Sequence, residues 1–474
     1  AYGSYAFVEG GPGSGYIVTE SLDGKNASVT MKDAFTSKGF QVNGELWNLY
    51  KNYNSSRTNP KTSTPEWQQW TVDELPWSKY TSAVTNSFAS YNDVAFITIS
   101  RSGGEYSDLH YNYNSSGVSQ NALGSKENTP ENGGYLGLTN QEEELLSHVL
   151  ALKDGGTFKK VVLLLNTANP LMFKDFSTYY NGIDAALWVG QPGSSGINAV
   201  VDVIKGDINP SGRLSDTFAY DLNSAPSTEN DGNYVYQTDP GIELPESEGK
   251  KNRFNTYMVY QEGIYIGYRY YETRYEDCLI NPSSEANSTK GAKNSTSGWN
   301  YAEEVAFPFG YGDSYTEFQY SNFSVTQNQA TKDYVVKVTV KNVGEVSGKE
   351  VVQVYLQKPY TQYDIANEIE KSSVELVGFA KTKKLAKNQS TEVTINIPFE
   401  EFKSYDANNK KTYIVEAGDY YLTVANDSHS AVNNILLAKN VSEANLSKQY
   451  FKNYQKNNDV TLGKNFAQKI WELW

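Results

Sequence analysis

Three short apolar runs punctuate the first 222 residues: Val94-Ala95-Phe96-Ile97-Thr98-Ile99, Val161-Val162-Leu163-Leu164-Leu165 and Ala185-Ala186-Leu187-Trp188-Val189. None shows the polar alternation of a half-solvated strand. Continuous apolar runs of this length fit strands buried on both faces. Helical signals fall between them. Thr139-Asn140-Gln141-Glu142 reads as a capping box, followed by Leu145, Leu146, Val149 and Leu150 at helical spacing. Asn198 to Ile204 reads as a short helix stopped at Gly206. This alternation predicts an α/β fold, a mostly parallel sheet with helices on both faces.

The pattern then changes twice. Residues 223–315 are irregular, and Ser, Asn, Gly and Glu dominate 223–252 and 282–300, as expected of long surface loops. From 316 to 440 apolar residues fall on every second position: Tyr334, Val336, Val338 and Val340; Val352, Val354 and Leu356; Val393, Ile395 and Ile397; and Tyr421, Thr423 and Ala425 after Gly418-Asp419. Short alternating strands predict an all-β antiparallel sandwich. The tail, 441–474, is polar until Phe466, Ile470, Trp471 and Trp474. Apolar residues there imply that the tail packs on something, or that the natural chain continues.

Composition narrows the function classes. Lys and Arg number 41 against 55 Asp and Glu, a net charge of −14, and no basic run stands out; nucleic acid is therefore not an expected partner. Cys278 is the only cysteine, which rules out an internal disulfide. His110, His148 and His429 are scattered, so neither a metal site nor a cofactor is expected. No stretch of about 18 apolar residues spans a membrane. The 37 tyrosines suit sugar recognition, because aromatic faces stack on pyranoses, but they serve packing equally well. Ala1 does not read as a natural start, which leaves room for a leader, an anchor or a whole domain before it.

Two segments carry candidate chemistry. Gly10-Gly11-Pro12-Gly13-Ser14-Gly15 lacks the Lys-Ser/Thr ending of a phosphate loop and the spacing of a dinucleotide fingerprint. It is either a tight turn or a loop that lets Ser14 approach a ligand. Glu105 follows the 94–100 strand by a few residues, which puts it at a strand's carboxyl end, the edge where α/β sheets bind ligands. Gly103 and Gly104 let that loop reach outward. A glutamate with a raised pKa beside a glycosidic oxygen can protonate a leaving group; a solvated loop carboxylate is the plain alternative. Asp108 is a candidate to orient a neighbour or cap a turn, and His110 is a candidate base by residue type alone. Trp67, Trp70 and Trp77 are candidates to shape a subsite or to pack.

Six segments in order resemble glycoside hydrolase family 3. They are the glycine loop; Ile99-Ser100-Arg101 through Gly104-Glu105 to Asp108; Gly206-Asp207-Ile208-Asn209-Pro210-Ser211-Gly212-Arg213-Leu214 with Thr217-Phe218; Glu262-Gly263-Ile264-Tyr265-Ile266-Gly267-Tyr268-Arg269-Tyr270-Tyr271; Phe307-Pro308-Phe309-Gly310-Tyr311-Gly312 with Ser314-Tyr315-Thr316; and Asn342-Val343-Gly344 with Gly348-Lys349-Glu350-Val351-Val352-Gln353-Val354-Tyr355. The resemblance implies a family 3 α/β sandwich domain with long surface loops over 1–315. It implies a fibronectin type III-like domain over 316–440, and a linker or the start of a following segment over 441–474. It assigns Glu105 as the acid/base and Ser14 as a contact to the sugar nearest the scissile bond. The Asn209-Pro210-Ser211-Gly212 turn resembles a structural corner after the helix.

The family's nucleophile is an Asp on a (β/α)8 barrel, and no barrel can be placed in these residues. The resemblance therefore implies part of a retaining exo-β-glycosidase, β-glucosidase-like, acting on terminal β-glucosides or oligosaccharides. The barrel would come from another chain or a missing segment. Residues 364–376 and 414–430, with the tail, fit the circularly permuted order in which the barrel follows. Some permuted members carry an amino-terminal membrane anchor, so a bacterial extracytoplasmic or membrane-anchored location is the expectation, with the cytoplasm as the alternative. A β-xylosidase of the same family, a family member with its acid/base on the barrel, a non-catalytic carbohydrate-binding module and a nucleotide-binding protein using the glycine loop are the rival readings. Homo-oligomerisation stays open.

Overall fold

The computed structural model describes residues 29–54, 74–101, 136–230, 259–447 and 463–472, and the pairs 234–235, 242–243, 253–254, 256–257, 449–450 and 454–455. The chain forms two compact units, Ala1–Ile208 and Asn209–Trp474.

In the first unit, helices α1 (Met31–Ser37), α2 (Gly44–Asn54) and α3 (Ser82–Ser87) precede strand β1 (Val94–Ser100). Helix α4 (Asn140–Asp154), β2 (Lys160–Asn166), β3 (Ala185–Trp188) and α5 (Ile197–Lys205) follow. The three apolar runs are the three strands. They pair in parallel in the order β1-β2-β3, with Val94 opposite Lys160 and Ser100 opposite Asn166. Ile97, Ile99, Val161 and Leu164 are almost completely buried, as the unbroken apolar pattern requires, but β3 departs from that reading: at the edge of the sheet, Ala185 and Ala186 are exposed and Leu187 and Trp188 half-buried. The capping box forms as read. Thr139 accepts from the Glu142 amide, and the Glu142 carboxylate accepts from the Thr139 amide. Helix α5 stops where Gly206 turns left-handed at φ 86°, a conformation that costs a residue with a Cβ.

The second unit holds β4 (Phe218–Ala219), helix α6 (Tyr268–Ile280) and β5 (Val305–Phe307). A two-sheet sandwich follows, built of β6 (Phe318–Gln327), β7 (Tyr334–Asn342), β8 (Val351–Gln357), β9 (Glu375–Lys381), β10 (Ser390–Ile397) and β11 (Gly418–Ala425). Helix α7 (Ser428–Ala438) and β12 (Ala467–Glu472) complete it. One sheet runs β6-β7-β10 and the other β9-β8-β11-β12. The alternating residues Val336, Val338, Val340, Val352, Val354, Leu356, Ile395 and Ile397 all point into the shared core. The tail packs. Phe466 and Ile470 lie against that core, and β12 pairs with β11 from Gly418–Glu472 to Thr423–Ala467.

Strands β8 and β11 are buried on both faces, which alternation does not foretell. Tyr420, Leu422 and Val424 face the sandwich core, whereas Tyr355, Tyr421 and Ala425 pack with Tyr271, Tyr275, Val432 and Ile435 of α6 and α7. Polar residues on the covered face are satisfied internally. Gln353 donates to the Gly310 and Asn426 carbonyls, and Gln357 to Glu276 and the Ser373 carbonyl. His429 sits between Glu272 (2.9 Å) and the Ser447 carbonyl (2.9 Å), with its ring 3.7 Å from that of Tyr301.

Leu422 and Ile435 report on the two layers separately, since each is fully buried in a different one. Either change to Ala removes methyl groups from a packed site and should cost about 2–5 kcal/mol. Urea unfolding checks this. If Ile435→Ala costs no more than a surface substitution, the helix layer is not part of the cooperative fold.

Candidate functional site

The carboxyl edge of the parallel sheet holds a buried polar network. Ser100, at the end of β1, donates to the Asn166 side-chain oxygen (3.1 Å), and Asn166 donates to the Gly190 carbonyl (2.6 Å). These bonds tie the three strand ends sideways. Arg101 follows at 1% exposure. Its two terminal nitrogens bind the two oxygens of Glu142, each at 2.7 Å, and also reach the carbonyls of Ser100 (2.7 Å) and Gly137 (2.5 Å). The Glu142 carboxylate thus serves its own helix cap and a guanidinium 41 residues away. Beyond Gly137, Leu138 donates to Asp175 (2.9 Å), and the Met172 amide donates to the Leu136 carbonyl (2.9 Å). Residues 101 and 137 are therefore held together at this edge, each with its own further anchors.

A second buried carboxylate lies near. Glu74 is 4% exposed and accepts from the Tyr50 hydroxyl (2.5 Å) and the Leu75 amide (2.8 Å). Burial pushes its carboxyl above the ordinary range, the Glu142 charge adds to that, and the two hydrogen bonds oppose it. Burial likewise raises the Tyr50 and Tyr80 hydroxyls. Trp77 stacks on both Tyr80 and His148, with ring centroids 4.3 Å away in each case, and is half-buried, which fits a packing role.

Ser14, Glu105, Asp108, His110, Trp67 and Trp70 lie outside the described residues. Of the second motif, the structure describes Ile99, Ser100 and Arg101. The third, fifth and sixth motifs meet as a structural joint. Asn209 accepts from Ser314 (2.9 Å) and from the Tyr315 amide (2.8 Å), and Arg213 pairs with both Glu350 oxygens (2.9 and 2.8 Å). The fourth motif is packing as well. Tyr268 stacks on Phe309 at 4.6 Å, and Gly263, at φ 56°, leaves room for the Glu370 carboxylate where a Cβ would collide. Among the described residues, no group of three or more His, Cys, Asp or Glu is placed to hold a metal ion, and no helix is long and apolar enough to cross a membrane.

Residues 5–268, more than half the chain, match the glycosyl hydrolase family 3 C-terminal domain, and residues 350–428 match a fibronectin type III-like domain. The chain belongs to glycosyl hydrolase family 3. Similar family 3 proteins include a beta-glucosidase of Ruminococcus albus, 29% identical over 435 residues, covering 90% of this chain and 36% of that protein. Among solved structures, beta-glucosidase 3B from Thermotoga neapolitana in complex with glucose is 28% identical with a TM-score of 0.62, covering 90% of this chain and 48% of that one. A beta-glucosidase from Paenibacillus barengoltzii is 27% identical with a TM-score of 0.64, covering 90% and 38%. The chain thus spans less than half the length of these relatives. The α/β domain and the fibronectin type III-like sandwich expected from the sequence are both the family 3 arrangement. The Arg101–Glu142 pair and Glu74 had no signal in the sequence beyond residue type. Only the capping box hinted that Glu142 is fixed.

Glu74 gives the edge a pH signature. Its folded pKa is raised, so the folded state holds the proton more tightly than the unfolded chain. That contribution is complete below the unfolded value of about 4.3 and is lost as pH rises through the folded pKa. Glu74→Gln should therefore flatten the fall in thermal stability above about pH 4, while changing little below it. Melting temperatures of both proteins across pH 4–8 check the sign. An unchanged pH profile means the carboxyl titrates as in the unfolded chain.

Proposed function

We propose that this chain supplies the acid/base half of a retaining exo-β-glycosidase, with a terminal β-D-glucosyl residue as the substrate group and Glu105 as the proton donor. The observation that carries the reading is the family 3 match over residues 5–268, which includes the Ser100-Arg101 through Glu105 motif leaving the carboxyl end of β1. Several similar proteins bear the name beta-glucosidase, which supports the sugar. The nucleophile belongs to a (β/α)8 barrel in another chain or segment. Ser14 contacts the sugar nearest the scissile bond. The division of the chain near residue 315 into a catalytic α/β domain and a fibronectin type III-like domain belongs to the same reading.

The reaction is a double displacement. The barrel's carboxylate oxygen bonds to the anomeric carbon while the bond from that carbon to the leaving oxygen breaks and Glu105 gives that oxygen its proton. Glu105, now a carboxylate, takes a proton from water. The water oxygen attacks the anomeric carbon and frees the nucleophile. Retention requires the two carboxyls to lie roughly 5–5.5 Å apart, so docking of the two domains is a condition of catalysis.

The acid is needed only where the leaving group is poor. In the assembled enzyme, Glu105→Gln should lower kcat/KM for alkyl β-glucosides by about 10²–10⁴-fold and spare dinitrophenyl β-glucoside. Azide, which needs no base, should raise turnover of the dinitrophenyl substrate by Glu105→Ala and yield the β-glucosyl azide. Equal, small losses on both substrates would remove Glu105 from the mechanism.

A further inference from the structure

We propose that the lysine-rich end of the β8–β9 ladder, formed by Lys349, Lys381, Lys383 and Lys384 beside Phe379, binds an acidic polysaccharide whose sugars carry carboxylates. The choice of a carbohydrate rests on the glycosidase reading above; the positive surface does not. The ladder brings the charges together. Val351 of β8 lies opposite Lys381 of β9, and the two chains stay paired beyond the strand ends. The Thr382 amide donates to the Glu350 carbonyl (2.9 Å), and Gly348 and Leu385 exchange backbone bonds (3.1 and 2.8 Å). Lys349 is thereby set across from Lys383 and Lys384, with Lys381 close by. All four lysines are exposed.

Like charges facing each other across a ladder are unfavourable, and here they stand unrelieved. Lys349, Lys383 and Lys384 make no ion pair with any described residue, and Lys381 donates to the Ser211 carbonyl (3.0 Å). Glu350, beside Lys349, is buried and engaged at both oxygens by Arg213 (2.9 and 2.8 Å). Burial, then the charges of Lys349 and Arg213, pull the Lys381 ammonium below its ordinary value. Other lysines of the sandwich do have carboxylate partners: Lys337 pairs with Glu392, Lys387 with Glu345 and Lys469 with Asp419. In a chain of net charge −14, this end is a local excess of positive charge. Exposed ion pairs are individually weak, so a single carboxylate would be held poorly, whereas a polymer engages several lysines at once. Phe379 points to a sugar polymer. It lies two residues before Lys381, hence on the same face of β9, and is 68% exposed. An aromatic face beside cations lets a sugar ring stack while its carboxylate meets an ammonium. Single-stranded nucleic acid is usually held by a series of such rings, and lipid anchoring by an apolar helix face beside the basic one; neither accompanies these lysines.

The test is binding of the protein, assembled with its barrel, to immobilised polygalacturonate at low ionic strength. Lys349→Gln, Lys383→Gln and Lys384→Gln together should weaken binding by about tenfold, the sum of three exposed ion pairs of ordinary strength. Lys290→Gln, Lys332→Gln and Lys410→Gln together remove the same charge from exposed positions elsewhere in the second unit and should leave binding unchanged. Polyglutamate, DNA and vesicles of phosphatidylserine with phosphatidylcholine are the competing polyanions. No binding to polygalacturonate, an equal loss in both triple variants, or binding to any competitor as tight as to polygalacturonate overturns the proposal. Turnover of dinitrophenyl β-glucoside is measured on the same preparation. If there is none, the glycosidase reading falls and takes the choice of a carbohydrate with it. An active enzyme that fails the binding test loses this inference alone.

Discussion

A guanidinium cannot be left unpaired inside a fold, and Arg101 sits at 1% exposure. Everything around it follows from that constraint. The charge needs a carboxylate in bidentate geometry, and Glu142 provides one only because the Thr139 cap already fixes the first turn of α4. Helix α4 must then begin beside the end of β1. The chain returning at Gly137 must come close enough to offer a carbonyl. Breaking such a pair by removing one partner generally costs about 3–5 kcal/mol, because the remaining charge stays buried. The edge therefore holds as one unit.

The second unit meets a different constraint, coverage of both faces of one sheet. Strands β8 and β11 have a sandwich core on one side and helices α6 and α7 on the other. Tyrosine serves this double role well, with a large apolar body and a hydroxyl that can find a partner. The Tyr275 hydroxyl bonds Asn433, that of Tyr355 bonds Gln353, and that of Tyr301 bonds Glu272. These three tyrosines thus fill a polar-lined core.

The three parallel strands, the capping box, the Gly206 stop and the sandwich strands were legible because each is a local pattern of adjacent or regularly spaced residues. The second covered face of β8 and β11 was not. Gln353 and Gln357 look like solvent positions in an alternating strand and Thr423 like an inward one, yet all three are buried on the second covered face, opposite the sandwich core. Their partners, such as Gly310, Glu276 and Phe466, are 43 to 81 residues away in sequence. Arg101–Glu142 hid for the same reason. The sequence showed one half of the role of Glu142, the cap three residues away, and not the other, 41 residues away. Trp77 was legible only as an aromatic, since its stacking partners Tyr80 and His148 are set by the fold. Glu105 and Ser14 were reached through the order of six motifs, which is information about a family and not about local physics.

On the proposed reading, the two catalytic carboxyls belong to different domains, so their separation depends on how those domains dock. Retaining geometry tolerates little error in their separation. What the described residues supply is the edge at the end of β1, where a bidentate pair, a capped helix and laterally tied strand ends are held together; on that reading the accuracy of the reaction depends on how the barrel docks.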